Sequence, residues 1–573
     1  MFNVQHKADA LQWLMSKEYI GSIKNAAAID ALRSSCDKAV LHILQKDDEA
    51  VAFQTLKYAA DWFEYPHPVE GRDPQGEVDF IAIRLVCALF EEMCYSVLPQ
   101  PVRDSLRRFF TRRNYKSMHT SENHYLMFRV SRRLAAQFYR DDFFENYGMT
   151  AQECLETDTA YIREFLNFRA AHGWGEFDSL GYAYEIMLIL ATLYRYVDDP
   201  ALKRKSRMAM DVILLDMIAD SEDALYGGAH GRSYPNAVLD RMQSPLVRLY
   251  RYYFGGRFYN GEELSDANIL LSDYLPSPVV YEVLESRSFP YENRERKHLH
   301  SCTAWKDEIR WDVLEELRGS ISKYTYVSKE YILGSVTRQE AYPTGSPDGW
   351  YARHQQHEWE LTLPGGGEHK IFTHHSAEAD YHKINNQWTG DCGCCCGNFY
   401  TNKNTAVAMY NIEDHTRLPL INAFVPLDVF DEVLQQEQYL FLAYGTLYIS
   451  LYFDNGYRIN REGEYAGREL LSDGWQNAVV LRVEPGDGYS SLEAFGESIR
   501  ALPVLFDRQA KTVSFDGILL RRDGSTVNGV EEHYPYPMTY DCPFLQSVWG
   551  SGVIGIITDE RRVVYDFPEN QIR

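Results

Sequence analysis

The feature that most constrains this chain is a change of hydrophobic period part-way along it. From residue 7 to about residue 275, apolar residues recur three and four apart, the spacing that lines one face of an α-helix. After Gly181, Tyr182, Ile186, Leu190, Leu193 and Tyr194 make one such face; after Glu122, Leu126, Met127, Val130 and Leu134 make another. Asp199-Pro200 opens a further helix, because proline's missing N–H costs nothing in a first turn. Helices are also read over 30–45, 49–64, 78–97, 101–113 and 151–169, about ten in all. Helix after helix on short loops, with no strand pattern between, predicts paired helices in a ring or solenoid. No exact repeat is visible, which leaves a toroid of diverged hairpins.

Pro276, Pro278 and Pro290 interrupt this pattern, and a charged stretch, Glu292 to Lys297, follows. Beyond it the period becomes two. Residues 324–333, 439–452, 478–483 and 553–557 are rich in β-branched and aromatic side chains, and turn signals such as Pro364-Gly-Gly-Gly and Asp516-Gly separate such runs. The expected fold class is therefore multidomain α+β. An N-terminal (α/α) toroid over 1–285 carries the catalytic function, and an antiparallel β-sheet or β-sandwich domain spans 286–573.

Charge excludes some partners. The formal net charge is -24, which disfavours nucleic acid and anionic membrane surfaces. No apolar run approaches the roughly 18 residues a membrane span needs. The first residues lack a basic region followed by an apolar run, and most of the ten cysteines are scattered. Together these predict a cytoplasmic protein with reduced thiols, to which a polymer would come already cut and imported. A homo-oligomer is compatible with this composition. The aromatic share is 14%, with 41 Tyr and 10 Trp. Such rings serve sugar clefts as flat apolar platforms with a polar edge, and they serve packing in toroids and sandwiches equally well.

Three motifs in the helical half stand out. Ser121-Glu-Asn123-His124 opens a helix, with Ser121 as N-cap and the Asn-His pair in the first turn. Gly173-Trp174-Gly-Glu176-Phe-Asp178-Ser179-Leu-Gly-Tyr182-Ala-Tyr184 crowds two carboxylates, a Trp and two Tyr into a helix-entry loop. It reads either as a binding loop or as a capping loop, with Asp178 or Ser179 as cap and Trp174 as a plug. Tyr226-Gly-Gly-Ala-His230-Gly-Arg232-Ser-Tyr234-Pro235 is longer than a plain connection requires. Its glycines allow close backbone approach, and in an extended stretch His230 and Arg232, two apart, point the same way.

These residues have a shared chemical logic. Cleaving a uronic-acid glycan by β-elimination means removing the proton next to a carboxylate. Asn, His and Arg can neutralise that carboxylate, while Tyr or His carries protons. A Tyr, with an ordinary pKa of about 10, acts as base only if a cation lowers it, a service His230 and Arg232 offer.

The Asn-His pair, the Glu-Phe-x-Ser-x-x-Tyr loop and the Gly-x-His-x-Arg-x-Tyr-like loop resemble the toroid-fold polysaccharide lyases of the alginate, heparinase-like and glucuronan lyase type. The resemblance covers the helical half by motif and the rest by layout. It implies Asn123 and His124 as carboxylate neutralisers, Tyr182 as acid, base or both, and His230 and Arg232 as the second element. It also implies Trp174, Glu176 and Tyr234 as cleft lining, and an acidic oligosaccharide or polysaccharide as substrate. Tyr184 competes with Tyr182, and at helical spacing only one of them points inward. Trp388, just before the Cys392–Cys396 cluster, is expected to contact substrate where a Cys-rich loop reaches back over the toroid mouth.

No cofactor is expected. Some relatives carry a metal in the β-domain, and His374, His375, Asp380, His382 and the cysteine cluster offer zinc or calcium a minor reading, without paired Cys-x-x-Cys knuckles. Two other functions stand beside the lyase. One is a glycoside hydrolase using Glu176 and Asp178, whose carboxyls must sit about 6.5–9.5 Å apart for inversion. The other is a non-catalytic sugar-binding protein.

Overall fold

The computed structural model describes residues 5–14, 29–61, 78–116, 121–256, 267–298, 320–339, 354–375, 388, 391–392, 396–413, 415 and 418–573. Its N-terminal half is helical, and its C-terminal half is built of antiparallel sheets.

The helices close a ring. Helix α1 (Ile29–Gln45) packs on α2 (Val78–Phe90), α2 on α3 (Glu122–Phe138), and α3 on α5 (Tyr182–Tyr196). Helix α5 then packs on α7 (Ala267–Leu271), which returns to α1. Outer helices back this ring: Glu49–Asp61 lies on α1, α4 (Ala151–His172) on α3, and α6 (Pro200–Ala219) on α5. This is an (α/α) toroid. Nearly every residue of α2 and of α3 is buried, so each reads as apolar or charge-paired all round. At α6, Asp199 caps the first turn by accepting from the N–H groups of Ala201 and Leu202, with Pro200 next, as the sequence predicts.

The last helix of this half ends at Ser286, and strand β1 (Tyr291–His298) follows almost at once. This strand is the stretch that reads as a charged interruption in the sequence, and it lies inside a 13-stranded antiparallel sheet. Its buried positions include Asn293, Glu295 and Lys297. Charge there does not signal exposure, because the face is matched by acidic residues of the toroid. Strand β2 (Ser320–Val327) pairs with β1 from Tyr291↔Val327 to His298↔Ser320, and β3 (Ile332–Gln339), β4 (Trp359–Thr362) and β5 (Lys370–His375) continue the sheet. The chain's last strands return to the other side of β1. A six-stranded sheet packs face to face on the large one through Leu333, Trp359, Leu361 and Ile371 against Phe399, Leu442, Ile449 and Leu481, which makes the sandwich. A five-stranded sheet stacks on its far side.

A single apolar core runs from the toroid helices into Val327, Ile332 and Tyr540 of the large sheet. Cys36, Cys87, Cys94, Cys154 and Cys542 are buried free thiols, and Cys396 is buried as well. Among the described residues, no helix is long and apolar enough to cross a membrane.

Candidate active site

The site forms where the start of α3, the 173–181 loop and the 226–235 loop meet. Ser121 takes the N-cap position of α3 with extended backbone, but it makes no capping hydrogen bond. Its hydroxyl donates instead to the Asn123 side-chain oxygen. Asn123 is fully buried, and its Nδ2 has no partner among the described residues. His124 Nδ1 lies 2.7 Å from the Asp79 carboxylate. A carboxylate only accepts, so His124 carries its proton on Nδ1.

Glu122 is a residue that sequence reasoning missed. Its carboxylate accepts the N–H of Gly175 at 3.0 Å and of Glu176 at 2.8 Å, and pairs with Arg169 at 2.9 Å. The first turn of α3 thereby pins the helix-entry loop. Ser179 completes the attachment. Its hydroxyl accepts the Tyr182 N–H at 3.1 Å and donates to the Arg232 carbonyl at 3.1 Å. The loop therefore does both jobs that the sequence left open: it caps α5 and it shapes a cleft. The Gly231 N–H donates to the Phe177 carbonyl at 2.6 Å, which joins the two loops.

Glu122, Trp174, Glu176, Asp178 and Tyr182 line a cavity of about 20 Å³ that also reaches Asp216 and Tyr226. That is room for little more than a water molecule. The Tyr182 hydroxyl is 2.9 Å from that of Tyr234, which is 36% exposed and forms the solvent side of the pair. The Arg232 guanidinium lies 5.1 Å from the Tyr182 ring centre, a cation–π distance. Its Nη1 is 3.5 Å from Glu176 Oε1, while Glu176 Oε2 is buried without a hydrogen-bond partner among the described residues. Burial pushes the Glu176 carboxyl up to about 7, with Arg232 opposing and Glu122 adding to the rise. Burial also raises the Tyr182 phenol well above its usual 10, more than Arg232 lowers it. The expected lowering of this tyrosine by a neighbouring cation is thus outweighed. Tyr184 is buried elsewhere, under the Arg248 guanidinium at 5.2 Å.

His230 and Arg232 do not share a face. Arg232 has a left-handed backbone (φ 47°), so the alternation of an extended stretch fails between them. Arg232 turns to Glu176 and Tyr182. His230 turns inward, fully buried, with its ring 4.9 Å from Tyr226 and 6.0 Å from His357. Its Nδ1 lies 2.9 Å from the Asp178 carbonyl, so Nδ1 is the protonated nitrogen and Nε2 bears the lone pair. Burial and Arg241 hold His230 well below its ordinary pKa, as the neutral ring.

The sheet closes the site from below. Lys297 and Lys323 both donate to the Asp178 carboxylate. Lys297 also reaches Asp216 at 2.8 Å, and Lys323 reaches Glu295 at 2.7 Å and Asp220 at 2.5 Å. Burial alone would raise Asp178, but the two ammonium groups hold it well below the usual carboxylate range. Asp216 moves the other way: burial raises it well above that range despite Lys297. Among the described residues, Asp178, Asp220 and Glu295 are the group spaced to share a cation, and the two lysines already supply that charge.

Behind His230, His357 Nδ1 meets His374 at 2.8 Å and His357 Nε2 meets Glu360 at 2.9 Å, while Arg241 reaches Glu360 at 2.5 Å. His375 Nε2 faces the Leu418 carbonyl at 2.9 Å. Asp380, His382, Cys394 and Cys395, the remainder of the metal reading, lie outside the described residues. Trp388 does not join the cleft lining. It is fully buried and packs edge-on against Phe372, Phe424 and Tyr465 at 5.5–5.7 Å, as an aromatic core residue. Its place just before a cysteine cluster suggests in sequence a loop reaching back over the toroid mouth, but burial of its large apolar ring dominates here.

No protein-family model and no curated protein matches the chain. Among solved structures, the chain is similar to the chondroitin AC lyase of Streptomyces coelicolor A3 in complex with chondroitin sulphate. The two share 11% identity at a TM-score of 0.44, over 99% of this chain and 89% of that one. A tyrosine-to-alanine variant of the same lyase gives 10% identity and a TM-score of 0.40, over 98% and 88%.

Proposed function

We propose that this chain is a polysaccharide lyase that cleaves an acidic, uronic-acid-containing glycan by β-elimination. In this reading 1–285 is the catalytic domain and 286–573 the β-sandwich domain that supports it. One observation carries the reading. Tyr182 offers a protonated hydroxyl in a cavity where the Arg232 cation lies 5.1 Å from its ring and Glu176 contributes a carboxyl pushed up to about 7.

The chemistry follows from those groups. Arg232, with the Asn123 amide and His124, neutralises the sugar carboxylate and so acidifies the neighbouring carbon. Tyr182, held protonated, gives its proton to the departing glycosidic oxygen. Trp174 supplies a ring for a sugar face. Tyr234, half exposed on the solvent side, meets the Tyr182 hydroxyl at 2.9 Å and lines the way into the cleft. His230 supports the loop from behind Tyr226.

The hydrolase reading fits less well. It needs Asp178 to activate water, and both Asp178 oxygens accept from buried lysines. The test is to incubate the protein with a panel of uronic-acid polymers and oligomers and follow short-ultraviolet absorbance. The lyase reading predicts an unsaturated product, and a loss of about 10²–10⁴-fold in turnover for Tyr182→Phe. New reducing ends without that absorbance point to hydrolysis instead.

A further inference from the structure

We infer that Glu176, in the cavity wall, is the group that takes the substrate proton, through Oε2, the carboxylate oxygen that has no partner among the described residues. The inference rests on the lyase reading and assigns its base. The cavity walls carry four carboxylates: Glu122, Glu176, Asp178 and Asp216. Three are occupied. Glu122 accepts two main-chain N–H groups and faces Arg169 at 2.9 Å; Asp178 accepts both lysines; Asp216 accepts Lys297 through both oxygens, at 2.9 and 2.8 Å. Among the described residues, Glu176 alone of the four keeps an oxygen, Oε2, buried and unpaired, while Oε1 faces Arg232 at 3.5 Å. An unpaired buried acceptor is costly and calls for a partner. Its main-chain N–H is fixed by the Glu122 carboxylate at 2.8 Å, and its other oxygen faces the Arg232 guanidinium at 3.5 Å, so both ends of the residue have a partner that orients it.

The competing bases are poorly placed. His230 bears a lone pair on Nε2, but it sits behind Tyr226, outside the cavity lining. Tyr182 is held protonated by burial, which suits a donor. A carboxyl pushed up to about 7 is matched to accepting a proton at neutral pH.

The step balances without a co-reactant. The proton on the carbon next to the sugar carboxylate passes to Glu176 Oε2. The electron pair of that C–H bond forms the ring double bond, the bond to the glycosidic oxygen breaks, and that oxygen leaves with the Tyr182 proton. The Tyr182 phenolate is then reprotonated from solvent through the Tyr234 hydroxyl 2.9 Å away, and Glu176 releases its proton to solvent.

The test compares Glu176→Gln and Glu176→Asp with the wild type on whichever uronic oligomer it cleaves, with folding checked by thermal unfolding and binding by calorimetry. Glu176→Gln keeps an acceptor for Arg232 and loses the basic oxygen. Its expected kcat for unsaturated product falls about 10³-fold while KM moves less than about threefold, and Glu176→Asp falls less, with its kcat–pH limb displaced from the wild type's. A folded Glu176→Gln with kcat within about tenfold of wild type overturns the assignment. Should that variant not fold, an unchanged kcat–pH limb in Glu176→Asp overturns it equally. A wild type that makes no unsaturated product from any member of the panel sinks the lyase reading itself, a different outcome.

Discussion

The main-chain carbonyl of Asp178 takes the Nδ1–H of His230 across 2.9 Å, while the Asp178 side chain is gripped by Lys297 and Lys323 of the sheet. One residue thus ties the β half of the molecule to the orientation of a histidine in the toroid. Asp178 also has a left-handed backbone (φ 49°), which the clamp holds.

Removing one member of that clamp leaves a buried charge unpaired. Lys323→Met strips partners from Asp178, Asp220 and Glu295, all buried. The expected loss of stability is about 3–5 kcal/mol, read by urea unfolding. A midpoint equal to that of the wild type contradicts the clamp.

Arg232→Lys keeps the charge and loses the planar fork that spans Tyr182 and Glu176. The expected kcat/KM falls about ten- to a hundredfold, with a small change in thermal stability. Full activity in the lysine variant contradicts a role for the guanidinium plane.

At Gly231 a Cβ would stand 2.8 Å from the Phe177 ring and 3.0 Å from the Phe177 main-chain nitrogen. Gly231→Ala therefore pushes the two site loops apart and strains their hydrogen bond. A cost of about 1–3 kcal/mol is expected, with turnover falling alongside it. Both follow from one displacement, so a variant that loses neither removes the loop contact from the account.

The fully buried His357 predicts how stability depends on pH. Burial lowers its pKa from 6.5 to about 4, against the pull of Glu360. The folded state binds this proton less readily than the unfolded chain does. Its contribution is therefore complete above about pH 6.5 and is lost as pH falls toward 4, on the order of 3 kcal/mol at most. Urea unfolding of His357→Gln against wild type across that window checks it: the difference between them should shrink as pH falls.

The helical half was legible because apolar residues recur three and four apart along it, as in α3 and α5, and the motif loops were legible because glycines, carboxylates and aromatics crowd them. Strand β1 was not. Its alternation of Asn293, Glu295 and Lys297 with more exposed residues looks like a solvated run until Asp178, Asp216 and Asp220 are brought against it by contacts distant in sequence. Glu122 escaped notice for a similar reason, since its partners Arg169, Gly175 and Glu176 lie about fifty residues away. The shared face expected of His230 and Arg232 does not form, because alternation presumes extended backbone and Arg232 is left-handed. Trp388 carried no local signal separating a core ring from a cleft ring.

The central claim is elimination without water, and product mass tests it most directly. Cleavage of a uronic oligomer in heavy-oxygen water, read by mass spectrometry, separates the two chemistries. The account predicts one fragment carrying a ring double bond, both fragments free of the heavy label from bond cleavage, and loss of both in Tyr182→Phe. A saturated pair of fragments with heavy oxygen incorporated at the cleaved bond contradicts it.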